Sequence, residues 1–281
     1  MSRPQHRFEF GSLPRDPDRD AALVELREPE RRREEIVLSE ELARKLERIE
    51  AEYGARDALA RQGLSPKSRL LFVGPPGCGK TLCAEILAGD LSLPLVYARF
   101  DGIVSSFLGE TASNIRRAFT YAAKSPSVLF FDEFDTIAKR RDDPHEVGEL
   151  KRVVGSFLQI LDAHPRDRLV VAATNHEGLL DQALWRRFDE VLLFPRPDAA
   201  QLVQLVQLRL RGIRKSGVDA SALVAGMEHF TFADAERVCV EAVKAMVLAG
   251  RKDVTQELLL AELAEQRARI ALATQPDPPQ H

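Results

Sequence analysis

Aromatic residues are scarce in this 281-residue chain. There is one tryptophan and there are three tyrosines, so 14 phenylalanines and a large aliphatic set must fill any core. Cysteine is scarcer still for its size: Cys78, Cys83 and Cys239 are too few and too scattered for a disulfide framework or a zinc site, and they fit a reducing compartment. Neither sign of charge dominates. A net charge of −3 excludes the global basic field on which sequence-independent nucleic-acid binding relies. Long apolar runs are also missing. LLFV from Leu70 and VLFF from Val128 fall far short of the roughly 20 residues a membrane-spanning helix needs. The first residues, MSRPQHRFEFGSLPRDPDRD, hold no apolar segment of the secretory-signal kind. There is no H-E-x-x-H, hence no metalloprotease signature, and no internal repeat. These absences lead to the expectation of a soluble, cytoplasmic protein without a membrane anchor or a folded adaptor domain at its N-terminus.

What is present suffices for a sizeable core: 44% of residues are apolar and 30% charged. The length suits one large and one small domain. Residues 1–35 are rich in Pro, Arg and Asp and are expected to form a flexible arm. A helix is expected over 39–62, with Leu42, Leu46, Ile49 and Tyr53 at helical spacing and Gly63 as the stop. Five short apolar runs follow, Arg69–Val73, Leu95–Ala98, Val128–Phe131, Leu169–Ala173 and Val191–Phe194. Their lack of polar alternation suits strands buried on both faces. Helical stretches such as Thr81–Leu91 and Thr111–Ala123 lie between them, so an α/β fold with a five-stranded parallel sheet and helices on both faces is expected over 36–195. Pro195 and Pro197 mark a boundary, after which 196–273 reads as a small helical domain and 274–281 as a disordered tail.

The chemistry is concentrated at strand ends. Gly74–Thr81 reads GPPGCGKT, a match to G-x-x-x-x-G-K-[ST], and it follows a strand and opens a helix as that loop requires. The loop residues Gly74, Pro75, Pro76, Gly77, Cys78 and Gly79, with Leu82 just beyond, are expected to cradle phosphate oxygens, the N–H groups coming from the non-proline positions and the helix N-terminus adding its positive end. Lys80 is expected to reach the β- and γ-phosphates of ATP, and the Thr81 hydroxyl to ligate Mg2+. Cys78 is read as a small filler in the loop. The second signal is VLFFDEFD, Val128–Asp135, an apolar strand running into Asp132 and Glu133. Carboxylates at the C-terminal end of a parallel strand sit where such sheets bind ligands. Asp132 is expected to hold Mg2+ and Glu133 to orient and deprotonate the attacking water. Asp135 is read as a helix cap or interface contact.

Taken in order, these motifs resemble the AAA family of ATPases, in its short single-module bacterial form, over about Ile36 to Ile270. The resemblance includes the stretch AATNHEGLLDQALWRRFDE, Ala172–Glu190. It implies a helical lid for 196–273 and a sensing role for Asn175 toward the γ-phosphate. It also implies arginine fingers, supplied to a neighbouring subunit, among Arg186 and Arg187. In the family's pattern a Pro-Gly separates these arginines. Here they are adjacent, which favours Arg187, in its R-F-D context, as the finger and leaves its neighbour to brace an acid such as Asp189. Gly102–Phe119 resembles the pore-loop region and places Phe107 at the position that grips polypeptide. HFTFADAERVCVEAV from His229 resembles the sensor-2 segment, with Phe232 where the family has glycine; Thr231 and Asp234 equally suit a helix cap, and Arg237 reads as surface. The resemblance implies a homo-oligomer, expected as a hexamer, that uses ATP to remodel or thread a protein substrate. The alternative is a nucleotide-gated regulator of a partner enzyme, a protease among the candidates. A DNA-processing role lacks the basic face it would need.

Overall fold

The computed structural model describes residues 10–104, 108–134, 146–175 and 185–273. In chain order the elements up to Phe194 are β1 (Val24–Arg27), α1 (Glu40–Gly54), α2 (Arg56–Arg61), β2 (Arg69–Val73), α3 (Lys80–Asp90), β3 (Leu95–Ala98), α4 (Phe100–Ile103), α5 (Leu108–Ala122), β4 (Val128–Phe131), α6 (Glu146–Ala163), β5 (Leu169–Thr174) and β6 (Glu190–Leu193). Beyond Pro195 come α7 (Ala199–Arg209), β7 (Lys215–Ser216), α8 (Ala220–Val224), α9 (Phe232–Leu248), β8 (Val254–Thr255) and α10 (Gln256–Ala273). The chain divides into two compact units. One holds most of the chain up to Phe194, and the other takes Pro195 onward together with Glu35–Ser39 and Pro76–Gly79.

In the first unit β2, β4 and β5 are buried at every residue, which explains why their sequences are apolar apart from Arg69 at the start of β2 and Thr174 at the end of β5. The sheet has six strands in the order β1-β3-β4-β5-β2-β6. Five of them run parallel, and β1 pairs antiparallel with β3. Parallel neighbours need crossovers. The chain leaves β2, passes beyond β5 and β4 to lay down β3, and then works back. This order makes β4, β5 and β2 consecutive, so the loops at their C-terminal ends share one rim.

The sixth strand corrects the reading of residues 1–35 as a flexible arm. From Phe10 onward the described segment is packed. Phe10 is 4% exposed and stacks on Tyr121, with ring centroids 5.2 Å apart. Asp16, buried, accepts a 2.8 Å hydrogen bond from Asn114, and that bond is the first cause holding its carboxyl below the usual range. Leu23 and Val24 are fully buried. Pro- and Arg-rich composition hid a strand only four residues long.

Phenylalanine does the work expected of it. Phe131 of β4 meets Phe157 of α6 edge-on at 5.2 Å, and Phe119 of α5 and Phe134 close on the same ring. The helix expected over 39–62 is broken at Ala55, which leaves α1 with Leu42, Leu46, Ile49 and Tyr53 buried, as their spacing requires. In the second unit Leu202, Leu205, Val206, Leu223, Val238 and Leu259 form a separate core. Two of its helices start in capping boxes, Asp198 with Gln201 and Thr231 with Asp234. The short β7 and β8 pair in parallel, a bridge that sequence patterning did not reveal.

Candidate nucleotide site

The chain leaves β2 at Gly74, whose φ is +155° and whose N–H donates to the Thr174 carbonyl at 3.2 Å. A Cβ on Gly74 would stand 2.1 Å from the Phe194 carbonyl oxygen. Only glycine lets the loop begin this close to β6. At the start of α3 the Lys80 side chain is buried, and a buried ammonium needs oxygens around it. Its Nζ donates to the carbonyls of Gly74 at 2.6 Å and Pro75 at 2.9 Å and to Asn175 Oδ1 at 2.8 Å. Asn175 follows β5, and Thr174 lies level with Val73 in the β2–β5 register. The sheet thus sets the lysine and the asparagine together at one rim.

Asp132 follows β4 on that rim and meets the first turn of α3. Thr81 Oγ1 donates to Asp132 Oδ2 at 2.6 Å, and the Glu133 N–H donates to Oδ1 at 2.9 Å. The Tyr97 hydroxyl, from β3, also approaches Oδ2, at 3.3 Å. Burial, with the Asp132 charge adding to it, pushes Tyr97 up to about 12, so its hydroxyl keeps its proton and donates. Glu133 has φ +49°, a left-handed conformation that costs a non-glycine residue roughly 1–2 kcal/mol. Its side chain is exposed. The kink separates the two acids: Asp132 turns in to Thr81 while Glu133 turns out to solvent, free to polarise a water.

The Thr81 hydroxyl and the Asp132 carboxylate are adjacent hard oxygens, the donor set Mg2+ prefers. That ion takes one or two protein ligands and draws the rest from water and phosphate. Among the described residues no group of three or more His, Cys, Asp or Glu could hold a metal by itself. The residues therefore fit a metal that arrives with a phosphate ligand.

Pro76–Gly79 belong with the second unit. Gly77, at φ +74°, lies so close to the start of α9 that a Cβ would be 2.8 Å from Thr231 Oγ1 and 3.0 Å from the Ala233 Cβ. The Ala233 N–H donates to the Gly77 carbonyl at 3.1 Å. Thr231 and Asp234 are the cap of α9, and Gln266 of α10 donates to Asp234 at 2.9 Å. Cys78 is buried, which suits a filler, and Arg237 is exposed.

The arginines lie elsewhere. Arg186 and Arg187 are both exposed, and Trp185 is half-buried against the core of the first unit. Arg187 Nε is 2.7 Å from Asp162 Oδ2 at the end of α6, and the same carboxylate takes Arg69 Nη1 at 3.2 Å. The brace expected for Asp189 is not Arg186 or Arg187 but Arg166, 2.6 Å away. Asp189 Oδ2 also accepts the N–H groups of Ser68 and Arg69, each at 3.0 Å. The whole group sits at the N-terminal ends of β2 and β6, the rim opposite Lys80. Phe107 and Asp135 lie outside the described residues. Sequence reasoning missed Tyr97 and Asp162. Tyr97 stands level with Phe130 and therefore shares a sheet face with Asp132, but that pairing emerges only once β3 is known to lie beside β4.

Residues 70–196 match the family described as ATPase family associated with various cellular activities (AAA). The chain is similar to y4kL of Sinorhizobium fredii, an uncharacterized AAA family ATPase, at 45% identity over 255 residues, 91% of this chain and 77% of that protein. It is also similar to the proteasome-activating nucleotidase of Pyrococcus horikoshii, at 32% identity over 78% of this chain and 57% of that protein. The nucleotidase of a Saccharolobus islandicus strain is 33% identical over 70% of this chain and 52% of its own length. The chain thus spans little more than half of these nucleotidases.

Proposed function

This chain belongs to the AAA family of ATPases and hydrolyses ATP, and from that premise we propose that it does so as one subunit of a homo-oligomeric, hexameric ring that remodels or threads a protein substrate in the cytoplasm. The observation that carries the ring is the separation of Arg187 from Lys80. Asp189 donates its N–H to the carbonyl of Arg69, at the start of β2, whereas the phosphate loop begins past its end. A finger on that rim serves a second copy's site and not its own.

In this reading Lys80 exchanges its carbonyl partners for the β- and γ-phosphate oxygens. Thr81 and Asp132 would hold Mg2+, which would supply positive charge against the charge developing on the phosphates. Glu133, out in solvent, orients the attacking water and accepts its proton. Asn175, already hydrogen-bonded to Lys80 Nζ, registers whether a γ-phosphate is present. Arg187, with Arg186 beside it, completes the neighbour's site. Catalysis is then positioning and electrostatics. No helix among the described residues is long and apolar enough to cross a membrane, which supports a soluble site of action.

A second reading, a nucleotide-gated regulator of a partner enzyme such as a protease, draws support from the similarity to proteasome-activating nucleotidases and from the adjacent arginines. Phe107→Ala separates the two. It abolishes substrate processing by a threading ring and leaves control of a partner intact. The ring itself is tested by specific ATPase activity against protein concentration. A steep rise to a plateau is expected, and a rate independent of concentration refutes assembly of the sites.

A further inference from the structure

We propose that Tyr97 is a positioning residue for Asp132, and that β1 supports it through Arg27, so that the N-terminal strand is part of the metal site's framework. The inference rests on the assignment of Thr81 and Asp132 to Mg2+.

The argument begins with register. Glu25 pairs with Tyr97 and Arg27 with Leu95 across the antiparallel β1–β3 ladder. Tyr97 in turn pairs with Phe130 across the parallel β3–β4 ladder. Side chains alternate across a sheet, so Phe130 and Asp132, two apart, share the face that Tyr97 occupies. The Tyr97 and Phe130 rings lie 5.6 Å apart. On the other side the guanidinium carbon of Arg27 stands 3.9 Å from the Tyr97 ring centroid. Arg27 is itself anchored, by Glu25 at 2.9 Å and by Glu85 of α3 at 3.5 Å. The phenol is therefore clamped between a cation and a ring, and its hydroxyl is left pointing along the rim at Asp132 Oδ2.

That oxygen is the one Thr81 contacts. With Glu133 N–H on Oδ1, the carboxylate is held on both oxygens. Removing the Tyr97 donor leaves Oδ2 with the Thr81 hydroxyl alone, a group that must turn toward a metal when one is bound. The carboxylate plane is then free to rotate. Outer hydrogen bonds to metal-ligating groups are typically worth about 10–100-fold in metal affinity. At 3.3 Å this one belongs at the lower end.

The test uses the full chain and a fluorescent, non-hydrolysable ATP analogue. Affinity is measured in EDTA and across a Mg2+ titration, for wild type, Asp132→Asn, Tyr97→Phe, Arg27→Met and the Arg27→Met/Tyr97→Phe double variant. Tyr97→Phe keeps the ring and the cation contact and loses only the donor. It is expected to raise the half-saturating Mg2+ concentration about tenfold and to leave affinity in EDTA unchanged. Arg27→Met shifts the Mg2+ midpoint in the same direction by less, and the double variant is no worse than Tyr97→Phe alone. A wild-type midpoint in Tyr97→Phe, with Asp132→Asn impaired, overturns the inference while sparing the site assignment. Equal losses with and without metal also overturn it, since they mark a general structural defect. If Asp132→Asn matches wild type, the site assignment fails and the inference with it.

Discussion

Arginine supplied in trans can be tested by complementation between two inactive chains. Gly74 lies five residues beyond Arg69. At about 3.3 Å per residue that is roughly 17 Å along the sheet, and an arginine side chain reaches roughly 7 Å. Arg187, held to Asp162 at the Arg69 end, therefore cannot touch phosphates bound by its own Lys80. Nor does Asp162 hold it fast: both partners are about half exposed, and such pairs contribute under about 1 kcal/mol. Arg187→Ala is expected to lower kcat by about 10³–10⁵, or about 4–7 kcal/mol of activation free energy. Lys80→Ala is expected to be inactive through loss of nucleotide. Mixed in equal amounts and allowed to exchange, the two variants place an intact Lys80 beside an intact Arg187 at about one quarter of the sites of a head-to-tail ring. ATPase activity should return to that fraction of wild type. A mixture that co-assembles and stays inactive refutes the reasoning, as does Arg187→Ala at more than a tenth of the wild-type rate.

Glu133→Gln should retain ATP binding, measured by fluorescence titration, and lose multiple-turnover hydrolysis; turnover at the wild-type rate removes Glu133 as base. Gly74→Ala should cost at least about 2 kcal/mol in chemical denaturation, because a backbone region reserved for glycine and a collision with the Phe194 carbonyl act together. Burial drives the His164 imidazole down to about 4, so the folded chain keeps it neutral while the unfolded chain takes up a proton below its ordinary value of 6.5. Its contribution to stability is therefore intact above pH 6.5 and falls between 6.5 and 4, by at most about 3 kcal/mol. In His164→Leu the denaturation midpoint should vary less with pH across that window.

The site was legible because its chemistry is local in sequence. A glycine-rich turn and an acid pair at a strand end announce themselves by spacing, and β2, β3 and β4 fall where unbroken apolar runs place them. Contacts between distant segments were not legible. The Tyr97–Asp132 approach, the Arg166–Asp189 pair and the Arg187–Asp162 pair each depend on strand order, which periodicity does not encode. The N-terminal segment was misread because composition outweighs pattern in a four-residue strand, although Phe10, Leu23 and Val24 carried an apolar signal. α1 ends at Gly54, a poor helix former whose stop signal precedes the one expected at Gly63.

The sheet's two outer strands have a consequence for how copies can meet. On one margin β1 presents Glu25 and Arg27, already paired with each other. On the other, Lys45 of α1 donates to the Val191 carbonyl of β6 at 3.3 Å. Charge on an outer strand and a lysine laid over its carbonyl both discourage an incoming strand. The sheet is thus closed to growth by backbone pairing. What these two margins leave for contact between copies is side chains and not backbone.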